Sequence, residues 1–456
     1  MYPNSHWARD AVFYHIYPLG ACAAPACNDF SSPPAPRLAK IQQWIPHLLK
    51  LGVNALYLGP LFESTCHGYD TADYYAVDRR LGDRQVLAQL STELHRNGIR
   101  LILDGVLNHV GHDFWAFRDV QQYGQASAYK DWFDGLRFGP RSPYGDPFTY
   151  QPWSGHYDLV RLNQGHPHVR AHLFDAIRMW VEQFNIDGLR LDAADCLDPD
   201  FMRALREFTS RLRPDFWLLG EVVQGDYRRW ANPQTLDSVT NYECYKGLFS
   251  SLVDKNYFEI AYALNRQFSP DGLYTGLPLY NFVDNHDVDR VASRLEDPAH
   301  LYPLYLLLFS MPGVPSIYYG SEFGLEGRRT PYDDHALRPA FDLLALQRNS
   351  PHPRLVDDIA RLASVRQALP ALRHGAYTQL HVAAQQFAFA RQSGSDCVVV
   401  LLNASAAPVP LEVAAPAHFT RALDCLNHAE SFPIQAGKLR VDTVYPYWGR
   451  ILRLEK

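Results

Sequence analysis

Leu189-Arg190-Leu191-Asp192 is a short, largely hydrophobic run that ends abruptly in an acid, and the chain contains two more runs of this kind. The second is Trp217-Leu-Leu-Gly-Glu221, and the third is Asn281-Phe-Val-Asp-Asn-His-Asp287. A strand buried in a parallel sheet has this composition, and in a β/α barrel its last residue opens onto the active-site face. The three runs therefore predict three carboxylates in one pocket, an arrangement suited to glycoside cleavage.

Strands and helices alternate on both sides of these runs, which indicates βαβ units and a parallel sheet. Helix 83–97 shows the 3.6-residue period of buried positions, and Pro46 is expected to kink helix 37–51. Further helices are predicted at 168–184, 200–212 and 356–368. The predicted strands are 12–17, 53–58, 99–104, 186–192, 216–221, 235–242, 277–283 and 314–319.

Eight such strands predict an α/β fold, a (β/α)8 TIM barrel built from residues 1–104 and 166–371. Residues 105–165 are rich in Gly, Pro, Tyr, Trp and Asp and show no helical period, so a small inserted domain is expected after strand 3. The alternating pattern in 372–456 predicts a C-terminal antiparallel β-sandwich.

Composition restricts the function. The 456 residues are 47% hydrophobic with a net charge of −6, which gives no electrostatic case for nucleic acid or an anionic membrane surface. No run approaches ~18 apolar residues, and the first ten residues lack signal-peptide features, so a cytoplasmic protein is expected, or a secreted one if a leader has been removed. The seven scattered cysteines are expected as free thiols, although Cys22 and Cys27 are near enough to bridge locally.

The spacing of the acids supports a common pocket. Asp192 and Glu221 are about one βα unit apart, and Glu221 and Asp287 about two, so all three fall on one face of a barrel. A single acid at a strand end could equally cap the following helix. Three of them, with Arg190 and His286 alongside, favour a catalytic site.

Several motifs in order resemble the α-amylase family, glycoside hydrolase family 13, over essentially the whole chain. Asp104-Gly-Val-Leu-Asn-His109, Gly188-Leu-Arg-Leu-Asp192, Gly220-Glu221-Val and Phe282-Val-Asp-Asn-His-Asp287 resemble the four family motifs. Gly68-Tyr69-Asp70, after strand two, is also family-like. The cyclomaltodextrinase, neopullulanase and maltogenic members resemble the chain best.

The resemblance implies a role for each motif residue. Asp192 would be the nucleophile, with its pKa lowered by Arg190, and Glu221 the general acid and base, with a raised pKa. Asp287 would stabilise the oxocarbenium-like transition state. The mechanism would be retaining, with the Asp192 and Glu221 carboxyls about 5–5.5 Å apart. Substrate-binding residues would be Tyr69, Asp70, His109, Arg190 and His286.

The chain also departs from the family pattern. Asp195 and Cys196 replace the Lys-His found in many α-amylases, which puts a preference for long chains in doubt. Arg161 occupies the place of an acidic calcium ligand, so Asn108 is left without that partner and no metal or other cofactor is expected.

The expected activity is hydrolysis of α-1,4 bonds in malto-oligosaccharides or α-glucans. A transglycosylase or isomerase, such as a glucanotransferase or trehalose synthase, uses the same chemistry and stays open, and a non-catalytic binding subunit is the remote alternative. The only partner expected is the sugar substrate. The preference for α-1,4 or α-1,6 bonds and the oligomeric state stay open.

Overall fold

A computed structural model describes residues 7–416 and 418–456, and its centre is a barrel of eight parallel strands. The strands pair in the order 6-5-4-3-2-1-8-7, and a parallel bridge between Thr240 and Tyr280 joins the sixth strand to the seventh. The predicted TIM barrel is therefore confirmed. Its strands are Phe13–Ile16, Ala55–Leu58, Arg100–Gly105, Gly188–Leu191, Trp217–Gly220, Ser238–Val239, Tyr280–Asn281 and Val314–Tyr318.

Side chains fill the barrel in the alternating manner of buried strands. Phe13, Tyr57, Ile102, Trp217 and Tyr280 are among the members of one buried cluster contributed by different strands. Outward-facing residues of the same strands join a larger cluster with the surrounding helices. This interior is a packed core, so the chemistry must lie at an open end of the barrel.

The helices agree with the predicted ones to within a few residues, except around Pro46. There the chain forms a 3₁₀ helix, Arg37–Trp44, followed by a separate α-helix, because a proline fits the first turn of a helix better than its interior. The α-helices up to the seventh strand are Pro18–Ala21, Ile45–Lys50, Arg84–Arg96, Trp115–Tyr123, Pro167–Phe184, Pro199–Leu212, Tyr242–Val253 and Phe258–Phe268. Those after it are Val291–Arg294, Leu301–Ser310, Leu343–Asn349, Leu355–Ala368 and Pro370–His374.

The sixth strand is much shorter than the predicted 235–242. Asn241 accepts a hydrogen bond from the Cys244 amide and so begins the next helix, which ends the strand early. Asp237 lies within the predicted strand but is not one of its hydrophobic residues, and its carboxylate accepts a hydrogen bond from the Leu218 amide.

The segment 105–165 was expected to lack a helical period, and this was wrong for Trp115–Tyr123. That helix is only nine residues long and buries Ala116, Phe117 and Val120, too short a pattern to stand out among so many aromatics. The segment also contains two small sheets. One joins His109–Gly111 with His156–Arg161 and Pro152–Trp153, and the other joins Arg137–Phe138 with Phe148–Thr149. A third small sheet, which precedes the segment in the chain, joins Phe62–Ser64 with Thr71–Val77.

The C-terminal region forms a separate antiparallel domain of eight strands, which confirms the predicted all-β module. It has its own buried cluster, which includes Val399, Leu401, Val441 and Leu452. The strands are Ala376–Val382, Gln386–Ser393, Asp396–Asn403, Val409–Ala414, Arg421–Asp424, Ser431–Gln435, Lys438–Val444 and Trp448–Glu455.

A disulfide joins Cys27 to Cys66, which corrects the expectation of free thiols and of a local Cys22 pair. The loops after strands one and two are neighbours because those strands pair, a proximity that a separation of 39 residues does not reveal. Cys22 is buried and free.

No helix within the described ranges is long and apolar enough to cross a membrane. Residues 1–6, part of the segment on which the expectation about export was based, lie outside those ranges.

Candidate active site

Strand pairing delivers the acids to one place. Arg190 stands opposite Asp104 in the register of strands three and four, and the Glu221 amide donates to the Leu191 carbonyl at 2.9 Å. In a strand, residues two apart share a face, so Arg190 and Asp192 both point into the barrel end. The fourth and fifth strands thus present their terminal carboxylates side by side.

Arg190 is the centre of this group. Its Nη1 lies 2.8 Å from Asp192 Oδ1 and 3.0 Å from Asp104 Oδ1, and its Nη2 lies 2.9 Å from Glu221 Oε2. The guanidinium is almost completely buried. One cation therefore holds three carboxylates, of which Asp104 and Asp192 are buried and Glu221 is partly exposed, and the rigid fork fixes their relative positions.

The charges of this group determine its protonation. Burial raises the pKa of Asp192 well above its usual range, Arg190 opposes this, and Glu221 and Asp104 add to the rise. Burial also raises the pKa of Glu221, again against Arg190. The raised Glu221 pKa agrees with the sequence expectation. The lowered Asp192 pKa was wrong, because one guanidinium shared by three acids does not offset burial and their mutual repulsion.

Asp287 is in the opposite electrostatic state. Burial would raise its pKa, but His286, Arg338 and Arg190 outweigh this and hold the pKa well below the usual range. His286 Nε2 lies 3.0 Å from Asp287 Oδ2, and Arg338 Nη2 lies 3.1 Å from Oδ1. Asp287 is therefore ionised, whereas the neighbouring pair of Asp192 and Glu221 can hold a proton.

The sequence reasoning missed Arg338. It lies in the long loop after strand eight, where no motif or strand end marks it. Its Nε donates to the His286 carbonyl at 3.0 Å and its Nη2 also lies 2.7 Å from Asp334, so it anchors the loop to the Asp287 segment. Its guanidinium lies 4.6 Å from the centre of the Tyr17 ring. A conserved spacing between Asp334 and Arg338 across relatives would be the signal that could find it.

His109 is neutral and offers a donor. Burial, then the nearby His67, lowers its pKa to about 3. The Asn108 side-chain Nδ2 lies 3.2 Å from Nδ1, and a neutral ring that accepts this hydrogen bond carries its proton on Nε2. Nε2 lies 3.7 Å from Asp192 Oδ2 and has no hydrogen-bond partner among the described residues. A buried, unsatisfied donor beside the Asp192 carboxylate suits a hydroxyl of a bound ligand.

Tyr69 forms one wall of the group. Its hydroxyl donates to Asp104 Oδ2 at 3.1 Å and is hydrogen bonded to His286 Nε2. Its ring stacks on the His286 ring, with 11° between the planes. These contacts fix an aromatic face next to Arg190, as a sugar-binding platform requires.

Asp70 differs from the other predicted residues. Its two carboxylate oxygens accept from the Cys66 and Gly68 amides at 2.7 and 3.0 Å. The side chain therefore stabilises the turn that presents Tyr69 and is not brought into the Arg190 group. Its predicted role in binding substrate stays a prediction.

Asp195 and Cys196, where the family pattern is altered, follow the fourth strand in the 3₁₀ helix Ala194–Cys196 and are exposed. Partial desolvation of the thiol by surrounding atoms and the neighbouring Asp195 carboxylate raise the pKa of Cys196. The Trp153 ring lies against His109 with 5.3 Å between the ring centres and 35° between the planes, so this aromatic from the inserted segment is a second residue beside the acids that the sequence did not single out.

The residues do not fit the calcium site found in many α-amylases. Asn108 Oδ1 is buried and lacks a partner among the described residues, as a ligand oxygen would. However, Arg161, whose backbone pairs with His109, places a positive charge on the neighbouring strand and donates from Nη2 to the Cys196 carbonyl at 3.4 Å. A divalent cation would be repelled there.

Comparison with a family model and with individual relatives places the chain in the α-amylase family. The sequence model of the α-amylase catalytic domain matches residues 37–354. Cyclomaltodextrinase of Geobacillus thermopakistaniensis is 31% identical over 432 residues, covering 89% of this chain and 71% of the relative. Neopullulanase 2 of Thermoactinomyces vulgaris is 32% identical over 480 residues, covering 99% and 79%.

Solved structures are also similar over nearly the whole of this chain. The cyclic α-maltosyl-(1→6)-maltose hydrolase from Arthrobacter globiformis, in its ligand-free form, superposes with a TM-score of 0.81 at 29% identity and covers 99% of both chains. A cyclomaltodextrinase structure gives a TM-score of 0.86 at 27% identity, covering 98% of this chain and 78% of the other.

Proposed function

The chain belongs to the α-amylase family of glycoside hydrolases, and from that premise we propose that it cleaves α-1,4-glucosidic bonds in malto-oligosaccharides and related α-glucans with retention of configuration. The observation that carries this proposal is the Arg190 guanidinium, which is 2.8 Å from Asp192 and 2.9 Å from Glu221. Two carboxylates held by one cation are neighbours, as double displacement requires.

In the proposed mechanism Glu221 gives its proton to the glycosidic oxygen while Asp192 attacks the anomeric carbon. The leaving sugar departs with that proton, and a glycosyl ester forms on Asp192. Glu221, now ionised, removes a proton from water, which attacks the anomeric carbon and releases Asp192. Asp287 stabilises the positive charge that develops on the sugar, and His109 Nε2 donates to a hydroxyl of the same ring.

The substrate class is proposed from the relatives, whose names include cyclomaltodextrinase, neopullulanase and maltogenic α-amylase. Water and a second sugar compete for the same glycosyl ester, so hydrolysis and transfer differ only in the acceptor. The exposed Asp195 and Cys196 leave the leaving-group side open to solvent, which favours water as the acceptor.

Product analysis tests the proposal. The protein is incubated with maltotriose, maltose, sucrose, pullulan and β-cyclodextrin, and early products are separated by chromatography while proton NMR follows the anomeric signal. We expect shorter sugars from the α-1,4 substrates and release of the α-anomer first. Early β-anomer would exclude retention, and early products longer than the substrate would identify a transglycosylase.

A further inference from the structure

We propose that a cleft between the barrel and the C-terminal domain is a second, non-catalytic binding site for a short α-glucan segment. The cleft has a volume of about 580 Å³, within the roughly 300–1,000 Å³ of small-molecule sites, and it is lined by Tyr302, Asp358, Arg361, Tyr445, Tyr447 and Trp448 among others. None of these residues belongs to the catalytic group. The sugar class rests on the proposed function.

The turn that lines one side of the cleft has an unusual sequence. Tyr445-Pro446-Tyr447-Trp448 connects the last two strands, and three of its four residues are aromatic. Tyr447 has a φ of 50°, a conformation that glycine or asparagine normally supplies after a turn proline. A tyrosine in this conformation costs about 1–2 kcal/mol. The ring is therefore present despite a backbone penalty, as happens at binding sites.

The aromatic rings are held in fixed positions. The Trp448 indole donates to Asn427 Oδ1 at 3.0 Å, and the Tyr302 ring meets the indole edge to face at 6.5 Å. The Tyr447 ring packs on His300 at 5.5 Å, and its hydroxyl is hydrogen bonded to Asp297. All three aromatic rings are partly exposed. Such preorganised aromatic surfaces bind the flat apolar faces of sugar rings with little loss of side-chain entropy.

The opposite wall carries groups that can bind hydroxyls. The Asp358 carboxylate is nearly buried, and Arg354 and Arg361 approach it only to 4.0 and 3.8 Å, beyond hydrogen-bond distance. Both guanidinium groups are exposed, and within the described ranges no shorter ion pair engages them. A sugar hydroxyl can accept from a guanidinium and donate to the carboxylate at once. Aromatic and charged walls facing each other suit a sugar better than an apolar ligand.

A second site of this kind would increase the local concentration of a long glucan at the enzyme without changing the chemistry. Long substrates would then gain apparent affinity, whereas a trisaccharide bound in the catalytic site would gain nothing. The two substrate lengths therefore separate the second site from the first.

The test variant is Tyr447→Gly, because glycine favours the positive φ and the fold should not suffer. Arg361→Ala is the second variant. Tyr262→Ala is the control, since Tyr262 is an exposed tyrosine on a helix face outside the cleft. Each change is made in the active enzyme and in the Asp192→Asn background, and maltoheptaose binding to the latter is followed by calorimetry.

We expect two binding sites in the Asp192→Asn protein and one after Tyr447→Gly or Arg361→Ala, with Tyr262→Ala unchanged. In the active enzyme the KM for amylose should rise by about fivefold or more, while kcat/KM for maltotriose stays within twofold. A single binding site that Tyr447→Gly leaves intact, or an unchanged KM for amylose, would overturn the second site. Failure of the unmodified enzyme to hydrolyse maltotriose would instead overturn the proposed function.

Discussion

Arg190 Nη2 lies 2.9 Å from Glu221 Oε2, so the proposed general acid is paired with the cation that also holds Asp192, the proposed nucleophile. The two carboxylates therefore do not vary independently in position or charge. An arginine is needed because its planar fork reaches Asp192 and Glu221 with different nitrogens, which a lysine ammonium cannot do in the same geometry.

Arg190→Lys should lower kcat/KM for maltotriose at least about 100-fold, because displacing a catalytic group by about 1 Å has an effect of that size. The fold should persist, since one cation still faces Asp104. The measurement is steady-state hydrolysis, with circular dichroism to check folding. Arg178→Lys, a change on an exposed helix face, is the control and should leave activity unchanged. Less than a threefold loss in Arg190→Lys would contradict the central role of the guanidinium.

The pH dependence of activity should be bell-shaped with both limbs shifted upward. Burial raises the pKa of both Asp192 and Glu221, and the active form of the pair holds one proton. Activity should fall in acid as the pair takes up a second proton, at a pH above that of an ordinary aspartate. It should fall in alkali as Glu221 loses its proton. The profile of kcat/KM reports these values for the free enzyme.

Glu221→Gln separates the two limbs. The amide does not titrate, so the alkaline limb should disappear when a 4-nitrophenyl maltoside, whose leaving group needs no acid, is the substrate. Asp192→Asn, the matched isosteric change, should abolish turnover of every substrate without unfolding the protein. Persistence of the alkaline limb in Glu221→Gln would show that another group is the acid.

Much of this arrangement was predictable because it follows from local patterns. Hydrophobic runs ending in Asp192, Glu221 and Asp287 identify barrel strands and the face on which their acids lie. Features made by long-range proximity were not predictable in this way. Arg338 reaches Asp287 from a loop 51 residues further on, and no periodicity marks it.

The state of Asp192 shows a second limit. Its strand neighbour Arg190 is visible in the sequence, but Asp104 and Glu221, which compete for the same guanidinium, come from adjacent strands. The sign of the Asp192 pKa shift depends on how many acids share the cation and how deeply they are buried. Both are properties of the folded barrel.

The Cys27–Cys66 disulfide should contribute to stability, because it closes a loop of 39 residues. Cys66→Ser should lower the free energy of unfolding by about 3 kcal/mol, seen as a lower Tm. Cys425→Ser, a change at a partly buried free thiol, is the matched control and should have a smaller effect.

Thiol titration of the denatured protein provides an independent check of the disulfide. Five thiols should react without reductant, since Cys22, Cys196, Cys244, Cys397 and Cys425 are free, and all seven cysteines should react after reduction. Seven reactive thiols before reduction would show that the bond is absent.

Asp187 should make stability depend on pH. Burial would raise its pKa, but His95, the Leu101 amide and Arg213 outweigh this and lower it. A carboxyl with a lowered pKa in the folded state stabilises the fold above the pKa of about 3.9 that it has when unfolded. That contribution to stability decreases as the pH falls below about 4, and it is lost once the pH lies below the pKa that Asp187 has in the folded state.

Asp187→Asn should therefore lower the free energy of unfolding by about 3 kcal/mol at pH 7, and the difference from the unmodified protein should shrink as the pH falls below 4. Urea unfolding at a series of pH values measures it. Asp215→Asn is the control, because Asp215 is half-exposed and pairs with the same Arg100, at 3.2 Å. Its effect should stay below about 1 kcal/mol. A loss in Asp187→Asn that does not change with pH would contradict the assignment to charge.

Arg161 should make the enzyme independent of calcium. Its guanidinium donates to the Cys196 carbonyl and lies 3.7 Å from Asp134, so the strand that pairs with the His109 segment carries a cation and no ligand oxygen at this position. Treatment with EDTA should change neither the activity on maltotriose nor the Tm. Arg161→Asp removes the repelling charge and introduces a hard oxygen ligand on the strand that pairs with the Asn108–His109 segment. That variant should show a Tm that rises by about 2 °C or more with millimolar calcium, because a ligand of the folded state alone stabilises it. A fall in the Tm of the unmodified enzyme in EDTA, reversed by calcium, would show that the site accepts the ion despite Arg161.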